Sequence, residues 1–170
     1  KFLLLLLALA SGVIMLSRPQ FGSKLEDIKK QGVEVIIALD VSNSMMAEDI
    51  QPNRLDNAKM AISRLVDKLE NDKIGLIVFA GDAYIQMPVT TDFQAAKLFL
   101  NSINTQIVPQ QGTAIERAIH LAMKSFTPNS NKSRAIVIIT DGENHEEGAV
   151  DAAKEAAEAG IIIHTIGIGS

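Results

Sequence analysis

The chain of 170 residues suits one domain of ordinary size with a short appendage. Its formal net charge of −4 and the lack of a basic stripe exclude a general attraction to nucleic acid, and the absence of cysteine excludes disulfide frameworks, thiol catalysis and cysteine-ligated zinc. Hydrophobic residues make up 47% but aromatics only 4%, so a core must be filled by Ile, Val, Leu and Ala, as in a parallel sheet covered on both faces.

Residues 2–16 read FLLLLLALASGVIML, interrupted only by Ser11 and Gly12, with no charge until Arg18. A membrane span needs about 20 apolar residues, and residues 1–17 are read as part of a transmembrane helix that anchors the chain. A secretory signal is the rival reading, because Ala8-Leu9-Ala10 mimics a cleavage site. The apolar run continues through residues 12–16, however, which a cleaved signal would not need. A buried core helix is the third reading, but five consecutive leucines leave it no polar face. The chain opens on Lys1 rather than Met, as expected of a fragment that starts inside such a helix.

Residues 18–32 form a polar connector punctuated by Pro19, Gly22 and Gly32, and residues 33–170 make up the folded domain. Residues 33–39 (VEVIIAL) are too short and too β-branched for a helix and read as a buried strand. After Pro52 and Asn53, the apolar positions Leu55, Ala58, Ala61, Ile62, Leu65, Val66 and Leu69 have helical spacing with one apolar stripe. Residues 73–80 (KIGLIVFA) are a second buried strand. Residues 83–89 alternate and contain Pro88, the mark of an edge strand joined by a hairpin. Thr91-Asp92 is a good cap for a helix that uses Phe93, Ala96, Phe99, Leu100 and Ile103.

A polar loop over residues 104–112 leads to Thr113, which opens a helix with Ala114, Ile115, Ala118, Ile119, Ala122, Met123 and Phe126 on one face. Residues 134–140 (RAIVIIT) are the third core strand. An alanine-rich helix over 149–159 ends at Gly160, a suitable residue just past a helix terminus, and residues 161–168 are the last strand. Strands alternating with helices give an α/β fold, a doubly wound and mostly parallel sheet with helices on both faces. Ligands of such sheets bind where loops leave the carboxyl ends of the strands, near the point at which strand order reverses.

Two carboxylates emerge at such ends: Asp40, with Ser42 and Ser44 beside it, and Asp141, followed by Gly142. Thr113, after Gly112, offers another hydroxyl from the same edge. Alternate residues of an extended loop point the same way, so Asp40, Ser42 and Ser44 can converge on one point. All five are hard oxygen donors, suited to Mg²⁺ foremost, or to Mn²⁺ or Ca²⁺. Taken singly, Asp40 caps a turn and Ser42 or Ser44 caps a helix; taken together with Thr113 and Asp141, they read as a metal site.

The set Asp40-x-Ser42-x-Ser44, Thr113 and Asp141-Gly142 resembles the metal ion-dependent adhesion site of von Willebrand factor A (VWA) domains. The resemblance covers residue 33 to the chain end. It implies that Ser42, Ser44 and Thr113 bind a divalent cation directly, and that Asp40 and Asp141 hold it largely through water. It also implies a metal-dependent protein–protein interaction module whose partner presents an Asp or Glu to the cation. More narrowly, Arg18-Pro19-Gln20, Gly32, Ser44-Met45, Asp49-Ile50 and Pro52-Asn53-Arg54-Leu55 look like the bacterial Bat (aerotolerance) proteins. That likeness implies an inner-membrane protein with its VWA domain facing the periplasm. It further implies partners among other VWA or tetratricopeptide-repeat membrane proteins, and a functional link to a MoxR-type AAA+ ATPase. VWA domains usually carry a further strand and helix beyond the position of Ser170, so the domain is expected to be cut short there.

Nearby residues have plainer roles. Glu143, Glu146 and Glu147 read as a solvated loop, with tuning of the metal as the alternative. Asp49 and Arg54 are expected to fix the first loop rather than touch ligand, and Met45 and Met46 to form an apolar rim or to pack. His120 is expected on the polar side of its helix and His164 as a satisfied hydrogen bonder in a core strand. His145, alone, makes neither a triad nor a zinc centre.

The competing function is a metal-dependent α/β enzyme, for phosphoryl transfer or hydrolysis, using Asp40 and Asp141. Against it, there is no P-loop and no Gly-x-Ser-x-Gly elbow. Gly167 and Gly169 stand without the helix that a dinucleotide site requires. A phosphatase-like aspartate nucleophile wants a second carboxylate two residues on, where this chain has Ser42. The expected activity is therefore binding and not catalysis.

Overall fold

Five β-branched runs form one sheet: β1 at Val33–Asp40, β2 at Lys73–Phe79, β3 at Ala83–Thr90, β4 at Ser133–Thr140 and β5 at Ile161–Gly167. A single 3₁₀ turn, Asn43–Met46, follows β1. The helices are α1 at Arg54–Val66, α2 at Phe93–Ser102, α3 at Ile115–Ser125 and α4 at Ala149–Glu158. This computed structural model describes residues 32–128, 130–142 and 148–169, together with residues 1–4, 6, 7, 9 and 11.

The strand order is β3-β2-β1-β4-β5, parallel except for the antiparallel β2–β3 hairpin. The chain builds outward from β1 to β2 and β3, then crosses back to β4 on the other side. Strand order thus reverses between β1 and β4, where a doubly wound sheet opens a crevice at its carboxyl end.

Alternation along the central strands sends side chains to two separate cores. Ile37, Leu39, Val137 and Ile139 pack under α1 and α2 with Leu55, Ile62 and Leu100. Ile36, Ala38, Ile136 and Ile138 pack under α3 and α4 with Ala118, Ile119, Ala152 and Ala156. The small alanine side chains suit the close packing of α3 against α4. Burying a branched side chain of this size contributes roughly 1.5–3 kcal/mol, and strands covered on both faces use every position.

Local signals set the helix starts. The Asn53 side chain accepts from the Asp56 N–H at 2.7 Å and donates to the Asp56 carboxylate at 2.8 Å, closing the first turn of α1 reciprocally. Asp92 accepts from the N–H groups of Gln94 and Ala95, as its sequence position predicts. Gly160 has φ +73, the left-handed conformation expected just past a helix end.

Two expectations shift. Thr113 does not open its helix; α3 begins at Ile115, with Ala114 in the capping position and no side-chain cap bond. The last strand, expected in the core, has only Ile161 buried, and His164 is exposed on it. The reason is position: among the described residues β5 pairs only with β4 and is an outer strand.

Phe2, Leu3, Leu4, Leu6, Leu7 and Leu9 are exposed. Among the described residues no helix is long and apolar enough to cross a membrane. Most of the expected anchor beyond residue 9, and the connector up to residue 31, lie outside the described residues.

At the opposite end of the sheet from the strand-end aspartates, Glu34 is completely buried. Lys73 Nζ donates to one carboxylate oxygen and the Thr127 N–H to the other, each at 3.1 Å, and Lys73 also donates to the Thr127 hydroxyl at 3.2 Å. Burial alone would raise this carboxyl, but the Lys73 ammonium and the Thr127 and Ser130 donors together hold it below the ordinary glutamate value of 4.5. A carboxyl depressed in the folded state adds stability above that value and loses it as pH falls below. Glu34→Gln is expected to lower unfolding free energy at neutral pH by about 1–3 kcal/mol. Urea unfolding should show a constant gap to the parent from neutral pH down to about pH 5, narrowing as pH falls further below 4.5; a gap independent of pH would contradict the charge assignment.

Candidate metal centre

Asp40 is the last residue of β1, flanked by β2 and β4, and is completely buried. The alternation that sends Ile36 and Ala38 toward α3 and α4 carries Asp40 the same way. Its Oδ1 accepts from the Ser42 N–H at 2.9 Å, and its Oδ2 accepts from the Thr140 hydroxyl at 2.7 Å. Thr140 ends β4 on the matching face, and its Oγ1 also accepts from the Gly142 N–H at 3.2 Å. Burial pushes the Asp40 carboxyl above its ordinary value; the Ser42 and Thr140 hydrogen bonds oppose this, and the neighbouring charge of Asp141 adds to it.

Ser42 has an extended backbone, φ −61 and ψ 160, and the chain then tightens into the 3₁₀ turn. Ser42 occupies the capping position of that turn without making a side-chain cap bond. Its hydroxyl instead lies 3.0 Å from that of Ser44. The two converge as expected, but through a turn rather than an extended loop: the Met45 N–H donates to the Ser42 carbonyl at 3.1 Å. Met45 is fully buried and pins the turn to the α1-side core, whereas Met46 stands half exposed at the rim.

The loop carrying Thr113 is laid across the end of β2. The Gly81 N–H donates to the Gln110 carbonyl at 2.9 Å, and the Ala114 N–H to the Ala80 carbonyl at 2.6 Å. A Cβ at residue 81 would stand 2.5 Å from the Gln111 carbonyl oxygen, so glycine is needed for this approach. The Gln111 side chain then accepts from the Asn43 N–H at 2.9 Å, tying the loop to the serine-bearing turn. Thr113, between these ties, is buried at the same edge.

Asp141 follows β4 by one residue, and its side chain is fully buried. Arg54, the first residue of α1, donates to Asp141 Oδ2 through Nη1 at 3.1 Å. The same guanidinium donates through Nε and Nη2 to the two oxygens of Asp49, each at 2.9 Å.

The sequence pattern of the von Willebrand factor type A domain matches residues 35–143. The chain belongs to this family. Its VWA domain is similar to the crystal structure of BatB from Bacteroides thetaiotaomicron, at 62% identity and TM-score 0.79, covering 80% of this chain and 66% of that one. It is also similar to an aerotolerance-related membrane protein from Bacteroides fragilis, at 59% identity and TM-score 0.79, covering 81% of this chain and 68% of that one. A protein of uncharacterised function from Borreliella burgdorferi is 34% identical over 161 residues, 93% of this chain and 47% of that protein. The chain spans about half the length of the curated relatives it matches. Both the VWA resemblance and the narrower Bat resemblance are borne out by these matches.

Two residues of the VWA rim and one contact escaped sequence reasoning. Thr140 was legible in principle, since a threonine closing a strand beside a strand-end aspartate shares its face by parity. Gln111 and the reach of Arg54 to Asp141 were not, because pairs 68 and 87 residues apart carry no local signal. Asp49 and Arg54 do fix the first loop as expected, but Arg54 also binds the second aspartate. His120 lies on the α3–α4 surface, 3.8 Å from Glu116 and 3.7 Å from Glu155. Glu143, His145, Glu146 and Glu147 lie outside the described residues.

Thr140→Val removes the hydroxyl that donates to Oδ2 of the buried Asp40 carboxylate. It should lower thermal stability by about 1–3 kcal/mol, with Thr140→Ser recovering most of the loss. Unfolding curves of the three proteins check this; equal loss in the valine and serine variants would show that shape, not the hydroxyl, matters.

Proposed function

We propose that this VWA domain is a metal-dependent protein-interaction module and not an enzyme. Ser42, Ser44 and Thr113 would hold a divalent cation, Mg²⁺ foremost with Mn²⁺ or Ca²⁺ as substitutes, and Asp40 and Asp141 would support it from behind. The observation that carries the reading is the pair of serine hydroxyls 3.0 Å apart beside a fully buried aspartate. In octahedral coordination at about 2.0–2.1 Å, adjacent oxygens stand about 2.9–3.0 Å apart, which is the spacing of this pair.

The chemistry of the donors points the same way. Hydroxyls are neutral, so the nearest ligands leave a dication's charge largely unspent. When bound, the cation supplies an electrophilic seat for an anionic oxygen, which an Asp or Glu side chain of a partner protein would fill. Asp40 acts indirectly: it anchors the Ser42 backbone and so holds the turn that presents both serines. Beside that turn a cleft of about 410 Å³, lined by Met46, Leu55, Lys59, Ile103 and Gln106 among others, offers room for partner residues flanking the acidic one. Nothing two residues after Asp40 supplies a second carboxylate for phosphoryl chemistry; that place is Ser42.

We infer that the domain sits at the bacterial inner membrane, anchored through residues 1–17 and facing the periplasm, as the Bat resemblance implies; the apolar N-terminal run and the membrane-protein relative from B. fragilis support the membrane attachment. Other VWA or tetratricopeptide-repeat membrane proteins, and a MoxR-type ATPase, are the partners this placement favours.

Calorimetric titration of Mg²⁺ and Mn²⁺ into the parent chain, Asp40→Ala and Ser42→Ala tests the site. Saturable binding is expected for the parent, with affinity at least about tenfold weaker in either variant, a loss of about 1.4 kcal/mol or more. Equal affinity in all three proteins would rule the site out.

A further inference from the structure

Arg54 is confined by Asp49, five residues before it, and by two segments distant in sequence. Its Nε and Nη2 are engaged by both oxygens of Asp49, its Nη1 by Asp141 Oδ2, and only 18% of its side chain is exposed. The backbone past β5 closes the remaining side: a Cβ at Gly169, where φ is +155, would lie 3.3–3.4 Å from three guanidinium atoms. A planar fork with its donors directed along fixed lines can satisfy two carboxylates at once, which the point charge of a lysine cannot do with the same geometry.

The position of this bridge gives it a consequence for binding. Asp141 continues the β4 alternation of Val137 and Ile139 toward α1, while Asp40 faces α3 and α4. The two aspartates nevertheless share one end of the sheet, because Thr140, the residue before Asp141, donates its hydroxyl to Asp40 at 2.7 Å. Arg54 thus fixes the carboxylate on the α1 side of the rim and joins it, through Asp49, to the segment that leaves the serine-bearing turn. Its own positive charge is offset by the paired Asp49 carboxylate, so its influence at the rim is mainly geometric.

We propose that Arg54 is a positioning residue of the cation site: it touches no cation, but by holding Asp141 it sets the affinity with which the hydroxyl cluster binds one. The proposal rests on the metal-site reading above. A salt bridge that merely braces the start of α1 would have a different signature, because its loss would act independently of Asp141.

A double-mutant cycle separates the two. Mn²⁺ is titrated by electron paramagnetic resonance into the 170-residue chain, Arg54→Lys, Asp141→Asn, the double variant and Ser42→Ala, with thermal unfolding recorded for each. Arg54→Lys keeps the charge and loses the fork, and is expected to weaken Mn²⁺ binding about fivefold or more; the double variant should bind no more weakly than Asp141→Asn alone, as coupled residues do. Parent-like affinity in Arg54→Lys, or losses that multiply in the double variant, would overturn the proposal. If the parent binds no Mn²⁺, or Ser42→Ala binds as tightly as the parent, the site reading itself fails and Arg54 loses its role with it.

Discussion

A carboxylate sealed at the end of a central strand has to be given donors, because an isolated buried charge is among the most expensive things a fold can contain. Asp40 is in that position, and the two hydrogen bonds that answer it organise the rim around it. One comes from the backbone of Ser42 and sets the direction in which the chain leaves β1. The other comes from Thr140 and stitches the end of β1 to the end of β4, across the line where strand order reverses. Moving either strand by one residue would turn Asp40 or Thr140 to the wrong face of the sheet.

From that anchor the remaining groups are placed by ordinary backbone chemistry. The 3₁₀ turn brings Ser44 back to Ser42, the buried Met45 keeps the turn seated, and Gln111 fastens the Thr113 loop to Asn43. The second aspartate is held from the opposite layer by α1. The rim therefore straddles both helical layers of the sandwich, with Asp40 following one core and Asp141 the other. A site built this way belongs to the architecture as a whole and not to one loop, which fits a VWA domain whose family likeness extends over residues 35–143.

Much of this was legible in the residues. Short, continuous β-branched apolar runs marked the central strands, and the helical stripe from Leu55 to Leu69 marked α1, which ends at Val66, because burial on both faces of a sheet or under a helix leaves those patterns in any sequence. Asp40, Ser42, Ser44, Thr113 and Asp141 stood out because strand ends are where doubly wound sheets bind ligands. What stayed hidden was of two kinds. Local tightening, such as the turn at Asn43–Met46 and the late start of α3 at Ile115, depends on tertiary bonds to Gln111 and Ala80 rather than on propensity. Long-range pairing, such as Arg54 with Asp141, leaves no pattern, since arginine at the start of a helix has many uses. The exposure of β5 follows from sheet order, which no single segment encodes.

The convergence of hydroxyls from two loops on one hard cation is tested most directly by crystals of the chain grown with Mn²⁺ and measured for anomalous scattering. A single strong peak within about 2.2 Å of the Ser42, Ser44 and Thr113 hydroxyl oxygens is the expected result, the range of hard-cation contacts to oxygen. A peak elsewhere on the surface, or none at saturating Mn²⁺, would contradict it.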